Sequence, residues 1–391
     1  MEHLEPSRSR PWGRVPSRIH PAAAIAVLVL GAGTAGAEPI FLARQYARCT
    51  TCHYSATGGG LLTPYGRSLS REEISTTGRS HGAAPGPGQP GEEAFLWGAL
   101  GNRLGGLNLG VELRPSHLDV RFPGGKVTRN LVMNADIAAA YRVNRWTVYG
   151  ELGRQPRSVG TRVDSWEHWI GYQGEKGLGF RAGRFLPAYG IRFADHTTFS
   201  RRPLGFDTFD QVYGVEVSYT DDRHLLQVVA GPGRADSILH GDGRRAFTAS
   251  GRLQMDLSSR TVLVLSGLFR GTSRSEARNG STGVALGFAP VPRLSVWTQG
   301  DVQFHDGSSG PPAYSLVNET AFEVYRGIWV KLSPQIRTAL GDTSGGVFRI
   351  AFELNLLPRT HWNVNLSHYH DRSRLNDIVT RTTLVQLHLY L

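Results

Sequence analysis

The sequence is poor in cysteine and lysine, and both scarcities exclude classes of protein. Its 391 residues include only 2 cysteines, which rules out a framework of several disulfides and any cysteine-rich zinc or iron–sulfur array. Charged residues make up only 19% of the chain. The formal net charge is +11, but the arginines are scattered and lysine occurs only at positions 126, 176 and 331. Without a concentrated basic run, we expect no nucleic-acid partner.

The chain also lacks a long apolar run. The apolar stretch from Ala22 to Leu30 is about half of the ~20 residues that a membrane-spanning helix needs. It follows a polar, arginine-containing stretch and precedes small residues that end in Ala35-Gly36-Ala37. This order predicts a secretory signal peptide over residues 1–37, cleaved before Glu38. A membrane anchor is the alternative.

Both cysteines lie in one motif, Cys49-Thr50-Thr51-Cys52-His53. C-x-x-C-H is the attachment pattern of c-type haem, because the two thiols can add to the vinyl groups on one porphyrin edge while the adjacent histidine ligates the iron. A redox pair, a structural disulfide and half of a zinc site are the alternatives. The first would need a βαβ context, and the last would need two further ligands. We therefore expect one covalent haem c, held by Cys49, Cys52 and His53.

The second axial ligand of this haem is less well determined. The two methionines beyond the signal peptide lie in predicted strands far along the chain, which argues against methionine. The candidate distal ligands are His81, which is close in sequence, and His388, on the polar face of the last predicted strand. An open or water-occupied position is the alternative. Arg44 and Arg67 are candidate partners for the haem propionates, because arginine binds carboxylates in a bidentate manner.

A proline- and glycine-rich stretch divides the chain. Residues 78–93 read GRSHGAAPGPGQPGEE, which is typical of a linker. It separates a cytochrome c segment, residues 38–77, from residues 94–391. The first part is too short to form a core by itself. It must therefore depend on the haem or pack against another part of the chain.

From about Leu96 onward, apolar and polar residues alternate repeatedly. About sixteen such segments can be counted, beginning near 105–114 and 130–143 and ending near 380–391. Short connections such as Asn144-Arg145 alternate with longer ones such as 187–210. This predicts an all-β fold, a transmembrane antiparallel β-barrel of about 16 strands, with the short turns and both barrel ends on the periplasmic side. A soluble sandwich or propeller is the alternative.

The residues around the haem motif carry a family resemblance. Ala43-Arg44-Gln45 precedes the motif, and Leu62-Thr63-Pro64-Tyr65-Gly66-Arg67 follows it. In these features the chain resembles the fused porin–cytochrome iron oxidases of bacterial outer membranes, in detail over residues 41–67 and beyond that in architecture. The resemblance implies that the haem segment plugs the barrel lumen and that electrons from extracellular Fe(II) pass inward to periplasmic cytochromes. The insertion Ala56-Thr57-Gly58-Gly59-Gly60 departs from the family pattern.

An exported haem joined to a barrel predicts an outer-membrane protein in contact with lipid. Our first interpretation is an electron conduit between an extracellular donor, for which Fe(II) is one candidate, and periplasmic carriers, with a periplasmic cytochrome as partner. Whether this would make the protein an extracellular Fe(II) oxidase stays open. The alternative is an outer-membrane porin or channel with a structural or sensory haem segment. A haem enzyme such as a peroxidase would need a distal acid–base pair, and none stands out.

Overall fold

The computed structural model describes residues 40–77, 94–99, 105–156, 161–195, 197–206, 210–232, 246–272, 279–305, 312–339 and 342–391. The predicted signal peptide, the predicted linker and His81 lie outside these residues. Among the described residues, no helix is both long enough and apolar enough to cross a membrane.

The described chain forms a closed antiparallel barrel of sixteen strands, which confirms the predicted fold. Each strand pairs with its neighbours in chain order, and β1 pairs with β16 to close the sheet, with Ser116 opposite Gln386. The strands are β1 Leu107–Phe122, β2 Gly125–Val143, β3 Trp146–Pro156, β4 Thr161–Gln173, β5 Leu178–Phe185, β6 Val212–Thr220, β7 His224–Gly231, β8 Ala246–Ser258, β9 Thr261–Thr272, β10 Asn279–Val291, β11 Leu294–His305, β12 Ala313–Tyr325, β13 Ile328–Ala339, β14 Asp342–Leu356, β15 Trp362–Ser373 and β16 Val379–Tyr390.

The alternating pattern places apolar side chains outside and polar side chains inside. In β13, Lys331, Ser333 and Gln335 point into the lumen and are buried, whereas Leu332 between them is 50% exposed on the outer wall. Large exposed apolar residues recur on the other strands, among them Ile137, Val148, Val217, Phe269, Phe322 and Phe352. An apolar outer wall around a polar lumen is the arrangement expected of a barrel that contacts lipid.

The first hairpin is longer than the sequence pattern predicts. The predicted segments 105–114 and 130–143 are parts of β1 and β2, which extend to a two-residue turn at Pro123-Gly124. Leu118, Val120 and Phe122 keep the period of two in this stretch, but the pairing register shifts between Leu113 and Pro115, and Leu118 lines the internal cavity. The outward side chains there, such as His117 and Arg121, are polar and exposed, which departs from the apolar-out pattern of a barrel strand.

Residues 40–77, here called the lumen segment, lie inside the barrel. They contain two short α-helices, α1 (Cys49–Cys52) and α2 (Pro64–Leu69), with a 3₁₀-helix at Phe41–Arg44 and a π-helix at Ser70–Ile74. Leu42 packs in one apolar cluster with the side chains of Val262 and Trp297, which belong to the barrel wall. Three further 3₁₀-helices cover Phe95–Gly98, Glu175–Gly177 and Arg202–Leu204.

The connection between β5 and β6 also folds into the lumen. Residues 187–210 were predicted as one of the longer connections opposite the short turns, and they do join β5 to β6 at that end. The sequence did not predict that this connection turns into the barrel. Tyr189 Oη donates to Asp301 Oδ1 at 2.8 Å, and the Phe199 amide donates to Gln335 Oε1 at 3.1 Å, both on the inner wall. Its apolar side chains, including Phe193 and Phe206, are buried. We call described residues 186–195 and 197–206 the inner loop.

Candidate functional site

The lumen segment is anchored to the barrel wall around its circumference. Arg44 Nη2 lies 2.6 Å from Glu323 Oε2 on β12, and Arg48 Nη2 lies 2.8 Å from Asp256 Oδ2 on β8. Ser70 Oγ lies 2.9 Å from the Tyr390 hydroxyl on β16. Most of these anchors are near the short-turn end of the barrel, because Asp256, Glu323 and Tyr390 are at the strand ends there. The segment therefore occupies the short-turn mouth of the barrel.

The Cys49–His53 motif forms a compact unit with α2. The first turn of α1 is closed by the His53 amide, which donates to the Cys49 carbonyl at 2.9 Å, and both cysteines are half-buried. Thr63 caps α2, because its side chain accepts from the Gly66 amide at 3.1 Å. A Cβ added to Gly66 would overlap the Cys52 carbonyl oxygen. Only glycine lets α2 approach the motif this closely.

The inserted glycines make a tight reversal beside the motif. Gly58, Gly59 and Gly60 all have positive φ, at 82°, 74° and 61°, a conformation that side chains disfavour. A Cβ on Gly58 would lie 3.3 Å from Cys49 Sγ. Beyond the reversal the chain runs back beside His53, which forms an isolated β-bridge with Leu62. This glycine-rich reversal therefore shapes the surroundings of the cysteine.

The His53 imidazole is suited to act as a ligand. Its Nδ1 atom is buried and has no hydrogen-bond partner among the described residues. Burial, reinforced by the nearby Arg192 guanidinium, lowers the pKa of His53 to about 4, so the ring is neutral near pH 7. Arg192, on the inner loop, donates from Nη1 to the Gly58 carbonyl and so joins the inner loop to the lumen segment. Sequence reasoning did not find Arg192, because its role depends on the inward course of the inner loop.

A cavity of about 610 Å³ lies between the lumen segment and the inner loop. Cys49, Cys52 and His53 line it from the lumen segment, and Arg192 lines it from the inner loop. Its volume is within the ~300–1,000 Å³ typical of ligand and cofactor sites. The cavity is thus large enough for a cofactor-sized group beside the cysteine motif.

The structure brings two side chains from distant strands to this cavity. His388 lines it, as predicted from its place on the polar face of β16. Its Nε2 atom is 3.2 Å from Glu112 Oε1, but the two atoms do not have the geometry of a hydrogen bond. Met133 on β2 lines the same cavity, and its sulfur accepts from Gln386 Nε2 at 3.1 Å. We had disfavoured methionine because of its sequence distance, and barrel closure removes that argument.

The two arginines predicted to meet haem propionates have other partners. Arg44 pairs with Glu323, as described above, and Arg67 Nη2 donates to the carbonyls of Leu109 and Leu391. Both therefore anchor the lumen segment to the wall. The described residues include no group of three or more His, Cys, Asp or Glu side chains placed to hold a metal ion.

Comparisons with known proteins agree with the barrel. No family model and no curated protein matches the chain. Among solved structures, it is similar to the outer-membrane channel DcaP of Acinetobacter baumannii (TM-score 0.55, 10% identity, 73% of this chain and 97% of that chain). It is also similar to OprB of Pseudomonas putida (0.56, 8%, 73% and 94%) and to an anion-selective porin from Comamonas acidovorans (0.55, 9%, 73% and 99%). The chain therefore has the fold of bacterial outer-membrane porins and channels.

Proposed function

We propose that the protein is an outer-membrane channel whose lumen segment carries a covalent c-type haem. The observation that supports a channel best is the closed barrel, which has an apolar outer wall, a polar inner wall and an internal cavity of about 610 Å³. The solved structures of similar fold are channels and porins. This likeness favours the channel over the electron conduit, which our sequence interpretation placed first.

In this proposal the lumen segment and the inner loop control what passes. Ions and small polar solutes would cross through the cavity, because most of the inner wall is polar and the apolar residues lie mainly on the outer wall. Charged side chains of both signs line the cavity, including Arg192, Arg252, Glu112 and Glu167. They would bias passage by charge, because a low-dielectric wall focuses the field of such groups.

The channel is tested by conductance. The full chain is inserted into planar bilayers beside a Cys49→Ala/Cys52→Ala variant, and ionic current is recorded at fixed voltage. We expect discrete conductance steps from both proteins, because the barrel and not the haem forms the path. An absence of steps from the folded wild type would contradict the channel.

A haem at the motif is supported by the residues that would hold it. Cys49 and Cys52 would bind it covalently, and His53, which lines the cavity with a neutral ring, would ligate its iron. His388 and Met133, which line the same cavity, are the candidates for a second iron ligand. A bound c-type haem supplies one-electron redox chemistry at a fixed place in the lumen.

The position of the motif favours a second candidate function, electron transfer through the barrel. An extracellular donor such as Fe(II) would give up one electron, and a periplasmic cytochrome would take it up at the short-turn mouth. The supporting observation is that Cys49, Cys52 and His53 line a cavity inside the barrel wall. Such a site could exchange electrons with either side only through partners that enter the lumen, because the apolar band is ~25 Å tall.

Absorption spectra test the haem and the conduit separately. We expect purified wild type to show a c-type spectrum that persists after denaturation, and Cys49→Ala/Cys52→Ala to lose it. In intact cells, Fe(II) added outside would reduce the haem if the conduit exists. A haem that forms but is not reduced at any pH tested would exclude Fe(II) as donor and leave the channel standing.

A further inference from the structure

Every turn at the end of the barrel where the lumen segment lies carries one basic residue. Seven turns join consecutive strands at the end where the lumen segment lies, and each contains a single lysine or arginine. These residues, here called the basic rim, are Arg145, Lys176, Arg223, Arg260, Arg293, Arg326 and Arg359. The chain has only 43 basic residues in 391, so one in each of seven turns of two to five residues is a concentrated pattern.

The opposite end of the barrel does not repeat this pattern. Its eight connections carry from none to three basic residues each: residues 123–124, 306–312 and 340–341 contain no lysine or arginine, whereas the other five together contain ten arginines. The basic rim does include acidic neighbours, since Arg145 pairs with Glu175 at 2.7 Å and Asp221 lies beside His224 at 3.1 Å. Charge at the rim is nonetheless positive, because the same seven turns hold only Glu175, Asp221 and Asp222 as acidic residues.

Exposed aromatic rings lie next to the basic rim on the outer wall. Tyr141, Trp146, Tyr219 and Tyr325 are 49%, 45%, 42% and 59% exposed, and each lies within four positions of a rim residue. Amphipathic rings of this kind lie at the level where a bilayer passes from acyl chains to headgroups. A lysine or arginine just beyond that level reaches the phosphate layer.

We propose that the basic rim binds the phosphate headgroups of anionic phospholipids in the periplasmic leaflet. Short turns of bacterial barrels face the periplasm, which places the rim at that leaflet. Headgroups surround a barrel on all sides, and the basic-rim residues are likewise distributed around its mouth. Basic residues near an anionic lipid surface are attracted to it. The inference rests on the proposed place of the barrel in a membrane. It does not depend on whether the protein binds haem or conducts ions.

An acidic protein partner fits the rim less well. A standard protein interface covers about 800 Å² on each partner, whereas the rim follows the whole circumference of the barrel. A protein docking at the centre of the mouth would meet the lumen segment, where Arg71 is paired with Glu72. Arg326 also turns inward there, since its Nη2 donates to the Glu72 carbonyl at 2.6 Å. Arg326 is therefore bound within the protein, and the proposed headgroup contacts are made by the other six basic-rim residues, which lie at the perimeter.

The test compares lipid retention by the full chain and by matched variants. Protein is reconstituted in nanodiscs of equal parts phosphatidylglycerol and phosphatidylcholine. After the protein is released from the nanodiscs, the lipid that stays bound to it is measured by native mass spectrometry. The rim variant is R223Q/R260Q/R293Q. The control is R121Q/R129Q/R381Q, which removes three exposed arginines from β1, β2 and β16 near the other end.

We expect the lipid retained by wild type and by the control to be enriched several-fold in phosphatidylglycerol relative to the bilayer. The lipid retained by the rim variant should have a phosphatidylglycerol content close to that of the bilayer. A charge-conserving variant, R223K/R260K/R293K, should keep the enrichment. A heat-dependent gel shift shows whether each barrel is folded. Equal enrichment in wild type and the folded rim variant overturns the proposal. If that variant instead binds polyglutamate less well while its lipid retention is unchanged, the rim serves an acidic protein and the proposal also fails.

Discussion

At the residue scale, close packing around the cysteine motif depends on single glycines. Gly66 lies in α2 with the Cys52 backbone directly against its Cα, and a Cβ there would overlap the Cys52 carbonyl oxygen. Overpacking of this kind costs about 1–3 kcal/mol, since the backbone must shift to relieve it. Gly66 therefore couples the position of α2 to that of the two cysteines.

Substitution of Gly66 should loosen the lumen segment without unfolding the barrel. We expect Gly66→Ala to increase the rate of trypsin cleavage at Arg44, Arg48 and Arg67, measured by mass spectrometry on folded protein. Gly267→Ala is the matched control, because a Cβ on that strand glycine would meet nothing within 4 Å. Equal cleavage rates in the two variants would show that the contact between α2 and the motif is not required.

Sequence reasoning at this scale succeeded where the partners are close in the chain. The C-x-x-C-H spacing is local, so Cys49, Cys52 and His53 were found as one unit. Met133 and Glu112 were missed as neighbours of the site, although both line the same cavity. They come from β2 and β1, and only closure of the barrel determines which inward side chains face the motif.

At the scale of elements, the inner loop occupies part of the lumen and lines the internal cavity together with the lumen segment. It is held by inward polar side chains of several strands, including Arg349, whose Nη1 donates to the Thr197 carbonyl at 3.0 Å. Its apolar residues Phe193 and Phe206 are almost fully buried. A long connection normally runs over a protein surface, so a loop with this many buried residues departs from the expectation.

Shortening the inner loop should widen the path through the barrel. We expect replacement of residues 192–206 by a short glycine–serine linker to raise single-channel conductance in planar bilayers, because the removed residues line the cavity. The control shortens residues 374–378, which join β15 and β16 at the same end and are mostly exposed. An unchanged conductance in a folded loop variant would place the narrowest point in the lumen segment instead.

The elements themselves were largely predictable, and the exceptions share a cause. Fourteen of the predicted segments lie within a few residues of the observed strands, since apolar-out alternation marks each wall-forming stretch. The first hairpin was underestimated because its outward residues His117, Asp119 and Arg121 are polar, where the other wall-forming stretches have apolar residues. The inward course of the inner loop was not predicted, because its apolar residues do not alternate and no local pattern shows that a loop turns inward.

At the scale of the whole molecule, the lumen segment packs against the barrel wall, so the two parts of the chain share one core. The segment alone has too few residues for a core, and the barrel supplies one through Val262 and Trp297 against Leu42. Ion pairs such as Arg48–Asp256 fix its orientation in the mouth. The distribution of the +11 net charge also has a pattern at this scale, because part of it lies in a ring at the short-turn end.

The sequence by itself determined the barrel, its strand number and the cysteine motif, because local periodicity or residue spacing indicates each of them. The tertiary structure decided that residues 40–77 lie in the lumen, which the sequence had only suggested through a resemblance. It alone decided that the inner loop faces them and that Met133 reaches one cavity with His53 and His388. The basic rim was present in the sequence as seven separate arginines and lysines. It became a ring only when the strands paired, since closure of a sheet brings distant turns to one edge.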